Sequence, residues 1–270
     1  MRIALASDLH LEHDGKNCAF HNNGNADVLI LAGDVCDLSS FRFDPSGMIE
    51  PTRKVEEAHQ WFNNVSKEFD RIVWVFGNHE YYDGDLVNAA KEYRSILDQI
   101  GVNNVSILEN EVLSVGGIDI LGCTLWSDFK NRDPQVMWDC QRGMSDYRYI
   151  TVSGRRLTTE DIADKFDESV NFIRSKILES KVQTIIVTHH QPTWFNAVLE
   201  HGHGNINYAY YSELSDIILD NSDRIPYWFS GHTHTNRDDF MDNTRLVTNC
   251  RGYYGYETMA YNFSFKYFDL

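Results

Sequence analysis

Five short apolar runs of this 270-residue chain are each followed by side chains that can bind a metal ion or move a proton. The runs cover residues 3–6, 28–32, 72–76, 184–187 and 227–229. The side chains that follow them are, in chain order, Asp8, His10, Asp34, Asn78, His79, His189, His232 and His234. A single histidine after a single run is usually a hydrogen-bonded structural residue, but five such endings in one chain indicate a shared site.

These side chains offer imidazole nitrogens, carboxylate oxygens and an amide oxygen, and no thiolate stands among them. Such mixed donors suit Mn, Fe, Co, Ni or Zn rather than Ca. The set is larger than one divalent ion can use, and a carboxylate shared by two ions would hold them about 3.5–4 Å apart. The residue types therefore predict metal-assisted hydrolysis, with His79 as a ligand or as an acid–base group.

The apolar runs are rich in β-branched and aromatic residues, which predicts strands buried on both faces of a mainly parallel sheet. Ligands of open α/β sheets gather past the carboxyl ends of such strands, so we expect the five endings to converge. Asp8 and His10 would share one side of an extended segment. Helical spacing predicts helices over 52–69, 85–100 and 158–179, the last with Thr159 as its N-cap.

The composition limits the classes of partner. Lys and Arg number 24 and Asp and Glu number 40, so the formal net charge is −16. This charge disfavours stable non-specific binding to nucleic acid and to anionic membranes, and it favours divalent cations. We expect no membrane span, no signal peptide and, for five scattered cysteines, reduced thiols in a cytoplasmic protein.

The motifs DxH, GD, GNHE, H and GHxH follow one another in this order between residues 8 and 234, and the set resembles the calcineurin-like metallophosphoesterases. The resemblance implies an α/β fold, a four-layer αββα sandwich, as a single domain over 1–270 with an insertion around 127–157. It implies one metal ion on Asp8, His10, Asp34 and His234, and a second on Asp34, Asn78, His189 and His232. Asp34 would bridge the ions, and His79 would be a catalytic acid oriented by Glu80 or Asp37.

The expected activity is dinuclear-metal-dependent hydrolysis of a small-molecule phosphodiester, nucleotide-derived substrates included, by in-line attack of a metal-bridging hydroxide. Manganese is the expected metal, with Fe, Zn, Ni and Co as alternatives. Phosphoprotein phosphatases of the superfamily usually carry GDxxDRG, whereas residues 33–39 here read GDVCDLS, with Leu38 in place of the arginine. A phosphomonoesterase and a non-catalytic scaffold of the same fold stay as alternatives, and the oligomeric state stays open.

Two segments without a clear period, 127–157 and 193–211, directly follow site strands and are predicted to recognise the substrate. Within or beside the first, Arg142 and Arg148 could hold a phosphate, and Trp126 could stack on a base. The alternative for these side chains is an aromatic cluster that packs the insertion.

Overall fold

A computed structural model describes residues 1–44, 50–199 and 204–270 of the chain. Residues 200–203 of the predicted recognition segment 193–211 therefore lie outside the described residues. The strands are β1 Arg2–Ala6, β2 Val28–Ala32, β3 Arg71–Val75, β4 Val105–Leu108, β5 Glu111–Val115, β6 Ile118–Cys123, β7 Thr151–Val152, β8 Arg155–Arg156, β9 Thr184–Thr188, β10 Tyr227–Ser230, β11 Asp238–Met241, β12 Thr244–Thr248 and β13 Lys266–Asp269. The helices are α1 Leu11–Asp14, α2 Arg53–Val65, α3 Ala89–Gln99, α4 Phe129–Arg132, α5 Pro134–Gly143, α6 Asp146–Tyr149, α7 Thr159–Glu179 and α8 Ser215–Asp220.

Two large sheets carry the fold. The first has the order β13-β1-β2-β3-β4, and β1 to β4 run parallel while β13 is antiparallel to β1. The second has the order β11-β12-β10-β9-β6-β5, with β6, β9, β10 and β12 parallel and both edge strands antiparallel. All five strands that precede the candidate site residues are thus inner, parallel strands.

Alternate residues of the inner strands face two different apolar layers. Ile3 and Leu5 of β1 pack in a cluster with Ile185 and Val187 of β9, which lies between the sheets. Ala4 and Ala6 of the same strand belong to the cluster that includes α2 and α3. On the other side, β6, β9 and β10 pack against α7 and α8. This arrangement of helices, sheet, sheet and helices confirms the predicted four-layer sandwich.

The predicted helices are present with shorter bounds, and one predicted cap is wrong. α2 begins after Thr52, whose side chain accepts a hydrogen bond from the backbone N–H of Val55. α7 is capped by Thr158 rather than Thr159, because Thr158 and Asp161 form a reciprocal capping box. The 127–157 segment folds into α4, α5, α6 and the small hairpin β7–β8.

No helix in the described ranges combines the length and the apolar character that crossing a membrane requires. The five cysteines are buried and unpaired, as expected for reduced thiols. Burial raises the pKa of Cys18 to about 12, which keeps this thiol protonated.

Candidate metal centre

The ends of β1, β2, β3, β9 and β10 meet at one place between the two sheets. Two hydrogen bonds across the sandwich fix this meeting. The Nδ1–H of His189, after β9, donates to the carbonyl oxygen of Ala32 in β2 at 2.9 Å. The backbone N–H of His232, after β10, donates to Oδ1 of Asp8, after β1, at 2.9 Å. Donor side chains of one sheet are thereby held against those of the other.

Asp8, His10 and His234 form the first group of potential ligands. Nε2 of His234 lies 3.0 Å from Nε2 of His10 and 3.5 Å from Oδ1 of Asp8. The Nδ1 atoms of both histidines bond carboxylates: His10 donates to Glu12 at 2.9 Å and His234 to Glu257 at 2.8 Å. Both Nε2 atoms are therefore lone-pair donors in the neutral tautomers, as metal-ligating histidines require.

Asp34, His189 and His232 form the second group, and all three are buried. Nε2 of His189 lies 3.1 Å from Nδ1 of His232 and 3.4 Å from Oδ2 of Asp34. Asn78 lies at the same site, where its amide NH₂ donates to Asp146 at 2.8 Å and its carbonyl oxygen is buried with no hydrogen-bond partner among the described residues.

Asp34 stands between the two groups. Its Oδ2 atom lies 3.4 Å from Nε2 of His189 and 3.9 Å from Nε2 of His10. Its Oδ1 atom accepts the backbone N–H of His79 at 2.9 Å, which fixes the rotation of the carboxylate. This is the position that the predicted bridging role demands.

Five of the predicted ligands have a left-handed backbone rather than the extended one expected after a strand. They are Asp8, His10, Asp34, His232 and His234, with φ between 46° and 71°. Asp8 and His10 therefore converge because the chain turns, not because residues two apart in a strand share a face. Each such residue costs about 1–3 kcal/mol, a strain that is typical of functional sites.

Two glycines make room for Asp34. Gly33 has a φ of 88°, and a Cβ at this position would overlap the ring of His189. A Cβ at Gly77 would overlap the carboxylate of Asp34 and lie 2.7 Å from Cε1 of His189. Only glycine allows this close approach of backbone to side chain.

His79 is oriented by Glu12, which the sequence analysis did not single out. Its Nδ1–H donates to Oε1 of Glu12 at 3.0 Å, and the same oxygen accepts from Nδ1 of His10 at 2.9 Å. The expectation that Glu80 or Asp37 orients His79 is wrong. Glu80 instead accepts backbone N–H groups of Gly77 and Val35, each at 2.6 Å, and Asp37 caps the turn at Leu38–Ser40.

Neighbouring carboxylates raise the pKa of some histidines at the site, and burial lowers the pKa of others. Burial alone would lower the pKa of His79, but Asp34 and Glu12 raise it to about 10. Burial and the neighbouring His189 lower the pKa of His190 to about 3, so this ring is neutral. Burial likewise holds the pKa of His10 and His232 below the usual value, which keeps these two rings ready to bind a metal.

The donor set fits two divalent ions. The Nε2 atoms of His10 and His234 face each other at 3.0 Å while both Nδ1 atoms are engaged, an arrangement that needs a cation or a shared proton between them. In the second group, Nε2 of His232 and the amide oxygen of Asn78 are buried polar atoms without a hydrogen-bond partner in the described part of the chain. Buried polar groups of this kind call for a ligand.

A cavity of about 490 Å³ opens onto these residues. Its wall includes residues 143–145 and Tyr149 of the first predicted recognition segment, and Ile206 and Tyr210 of the second. The remaining lining residues are Asp34, Asn78, His79, Tyr82, His232, His234, Tyr253 and Glu257. A site of this size suits a small-molecule substrate.

The structure does not bring Arg142, Arg148 or Trp126 into this cavity. Arg142 is exposed and lies over the ring of Trp138, 4.6 Å from its centroid. Arg148 is exposed and reaches the carbonyl oxygen of Arg142. Trp126 is buried and packs against Tyr81 and His190, so the aromatic-cluster alternative describes it correctly.

Comparisons with known proteins agree with this geometry. Residues 1–236 match the family of calcineurin-like phosphoesterases. An uncharacterized protein of Acanthamoeba polyphaga mimivirus is 30% identical over 305 residues, which cover 100% of this chain and 97% of that protein. The crystal structure of a phosphopantetheinyl hydrolase from Mycobacterium tuberculosis is similar with a TM-score of 0.67 and 17% identity, over 93% of this chain and 89% of that one. A protein of Thermus thermophilus is similar with a TM-score of 0.51 and 9% identity, over 92% and 88% of the two chains.

The position of Asp34 predicts that Asp34→Asn loses both metal ions together, because one lost charge weakens two coordination spheres. The measurement is elemental analysis of the purified variant after metal loading. Asp37→Asn is the matched control, since the Asp37 side chain bonds Ser39 and Ser40 of its own turn, and it should keep both ions. Two ions bound to Asp34→Asn with normal affinity would show that Asp34 is not shared.

The double contact of Glu12 predicts that Glu12→Gln lowers metal affinity or turnover by about 10- to 100-fold, the usual effect of removing a ligand's carboxylate partner. Titration of the metal-free protein with Mn²⁺ and a turnover assay measure the two effects separately. Glu56→Gln, on the exposed face of α2, serves as the control. Unchanged metal affinity and turnover would reduce Glu12 to a packing residue.

Proposed function

We propose that this chain, which belongs to the calcineurin-like phosphoesterase family, is a metal-dependent hydrolase of small-molecule phosphodiesters. The observation that carries the proposal is the composition of the cavity wall. Two of the three groups of potential metal ligands, those of Asp8 and of Asp34, line or underlie the cavity, and no lysine or arginine belongs to its described lining. The wall thus matches a phosphate that carries a single negative charge.

In this proposal, seven side chains bind the metal ions and one donates a proton. Asp8, His10 and His234 would hold one ion, and His189, His232 and Asn78 the other, with Asp34 shared. When bound, such ions neutralise phosphate oxygens and lower the pKa of a coordinated water. Nitrogen and oxygen donors without thiolate suit Mn, Fe, Zn, Ni and Co, and manganese is our first choice among them.

His79 is the candidate acid. Its Nδ1–H is engaged by Glu12, so the proton available for transfer sits on Nε2. That atom lies 4.0 Å from Oδ2 of Asp34 and 3.5 Å from the hydroxyl of Tyr253, at the cavity surface. Asp34 and Glu12 raise the pKa of this ring, and from Nε2 the proton can pass to the oxygen of the leaving alcohol.

The surroundings of Leu38 support a diester rather than a monoester. A phosphatase of the GDxxDRG type would carry an arginine here, whereas Leu38 is fully buried in the apolar cluster under the first sheet. A monoester dianion would therefore meet no additional lysine or arginine in the described cavity lining. The intact donor set also argues against a non-catalytic scaffold.

The preference predicts a higher kcat/KM for bis-p-nitrophenyl phosphate than for p-nitrophenyl phosphate in the Mn²⁺-loaded protein at one pH. The two compounds share a leaving group, so the ratio reports the charge that the phosphate site accepts. A phosphopantetheinyl ester belongs in the wider substrate panel, because a hydrolase of that name shares the fold. A clear preference for the monoester would place the phosphomonoesterase alternative first.

The assignment of His79 predicts that His79→Asn keeps both metal ions and slows turnover about 10²- to 10⁴-fold. The loss should be larger for diesters with a poor leaving alcohol than for nitrophenyl esters, since only the former need the proton. Tyr81→Phe, whose ring lies in the neighbouring apolar cluster, is a nearby control. Equal losses for both kinds of leaving group would assign His79 to charge stabilisation instead.

A further inference from the structure

Tyrosine rings surround the metal-binding side chains. Tyr253 stacks on His10 with 4.3 Å between ring centroids and an angle of 28°. Tyr82 stacks on His79 and Tyr210 on His232, each pair with centroids 4.4 Å apart and an angle of 26°. Tyr149 extends the aromatic wall outward, since it is 51% exposed and its ring lies 5.4 Å from that of Tyr82.

Apart from the histidines, the charged side chains of the cavity wall are all negative in the described lining. Among the described lining residues, the carboxylates are Asp34 and Glu257, and the cationic groups are limited to imidazoles. Glu257 bonds His234 through Oε1, and its Oε2 atom has no hydrogen-bond partner among the described residues. Metal ions bound there would neutralise Asp34 and its neighbours, whereas the Glu257 carboxylate and the tyrosine rings would keep a negative potential beside the cavity.

We infer that the alcohol part of the substrate carries a quaternary or primary ammonium group, so that the diester as a whole is zwitterionic. The inference rests on the proposed function for the phosphate and on the tyrosine wall for the cation. A cation over tyrosine faces is attracted by the ring quadrupole, and aromatic walls are the usual recognition element for quaternary ammonium. A second phosphate in the substrate would meet Glu257 and, within the described lining, no lysine or arginine, which disfavours diphosphates.

The test compares two substrates that differ in one charge. They are p-nitrophenyl phosphocholine and p-nitrophenyl 3,3-dimethylbutyl phosphate, in which a carbon atom replaces the quaternary nitrogen. We expect kcat/KM to be about tenfold higher for the choline ester. Equal values would overturn the inference, and so would a higher value for the p-nitrophenyl ester of thymidine 5′-phosphate, because the wall would then select a neutral base.

Two variants test whether the tyrosine wall causes the preference for the choline ester. Tyr149→Leu removes a ring from the wall, and we expect it to reduce the choline-to-dimethylbutyl ratio to below about threefold. Tyr256→Leu is the matched control, because this tyrosine is 89% exposed and lies outside the cavity lining, and it should leave the ratio unchanged. An unchanged ratio in Tyr149→Leu, or an equal drop in both variants, would contradict the assignment.

A binding measurement separates this inference from the proposed function. Broadening of ligand resonances in the protein loaded with diamagnetic Zn²⁺ should reveal binding of choline and not of 3,3-dimethylbutanol. If choline binds and no diester is hydrolysed, the cation site stands and the proposed function fails. If diesters are hydrolysed and choline binds no better than the neutral alcohol, the proposed function stands and the cation site is wrong.

Discussion

The structure depends on keeping the carboxylate of Asp34 buried among imidazoles. A buried carboxylate is costly unless opposite charge and hydrogen bonds surround it. Here the backbone N–H of His79 binds one oxygen, and the other faces the rings of His189, His10 and His79 at 3.4–4.0 Å. Gly33 and Gly77 bring the backbone close enough for these contacts, and Glu80 holds the surrounding turns through the N–H groups of Gly77, Asp34 and Val35.

The two-sheet sandwich follows from the same requirement. Neither sheet alone supplies enough donors for two ions, since β1 to β3 bring the carboxylates and the amide while β9 and β10 bring most of the imidazoles. The apolar layer between the sheets fixes their distance, and it consists mostly of branched residues from both. Tight packing of this layer gives the strained, left-handed residues at the strand ends a rigid support.

Different parts of the chain supply the potential metal ligands and the wall of the cavity. Side chains at the strand ends would hold the metal ions, while the segments after β6, β9 and β12 form much of the cavity wall and contribute most of its tyrosines. Arg251, in the segment after β12, contacts the loop that carries the first potential metal ligands. It is 1% exposed, donates to the carbonyl oxygen of Leu9 at 2.8 Å, and lies against the rings of Phe20 and Tyr254. This buried cation offsets part of the negative charge collected around the loop that carries Asp8 and His10.

The sequence by itself determined the fold class and predicted the candidate donor set. Strand composition and the residue that follows each strand are local properties, and parallel strands bring their carboxyl ends together. Only the tertiary structure decided which groups support and surround the donors. Glu12 and Glu257 reach their histidines through turns and contacts that have no period in the sequence, and Asp146 meets Asn78 from 68 positions away. Arg142, Arg148 and Trp126 lie outside the cavity lining for the same reason: in a segment of short helices, packing against the rest of the chain decides whether a side chain faces the cavity, the core or solvent.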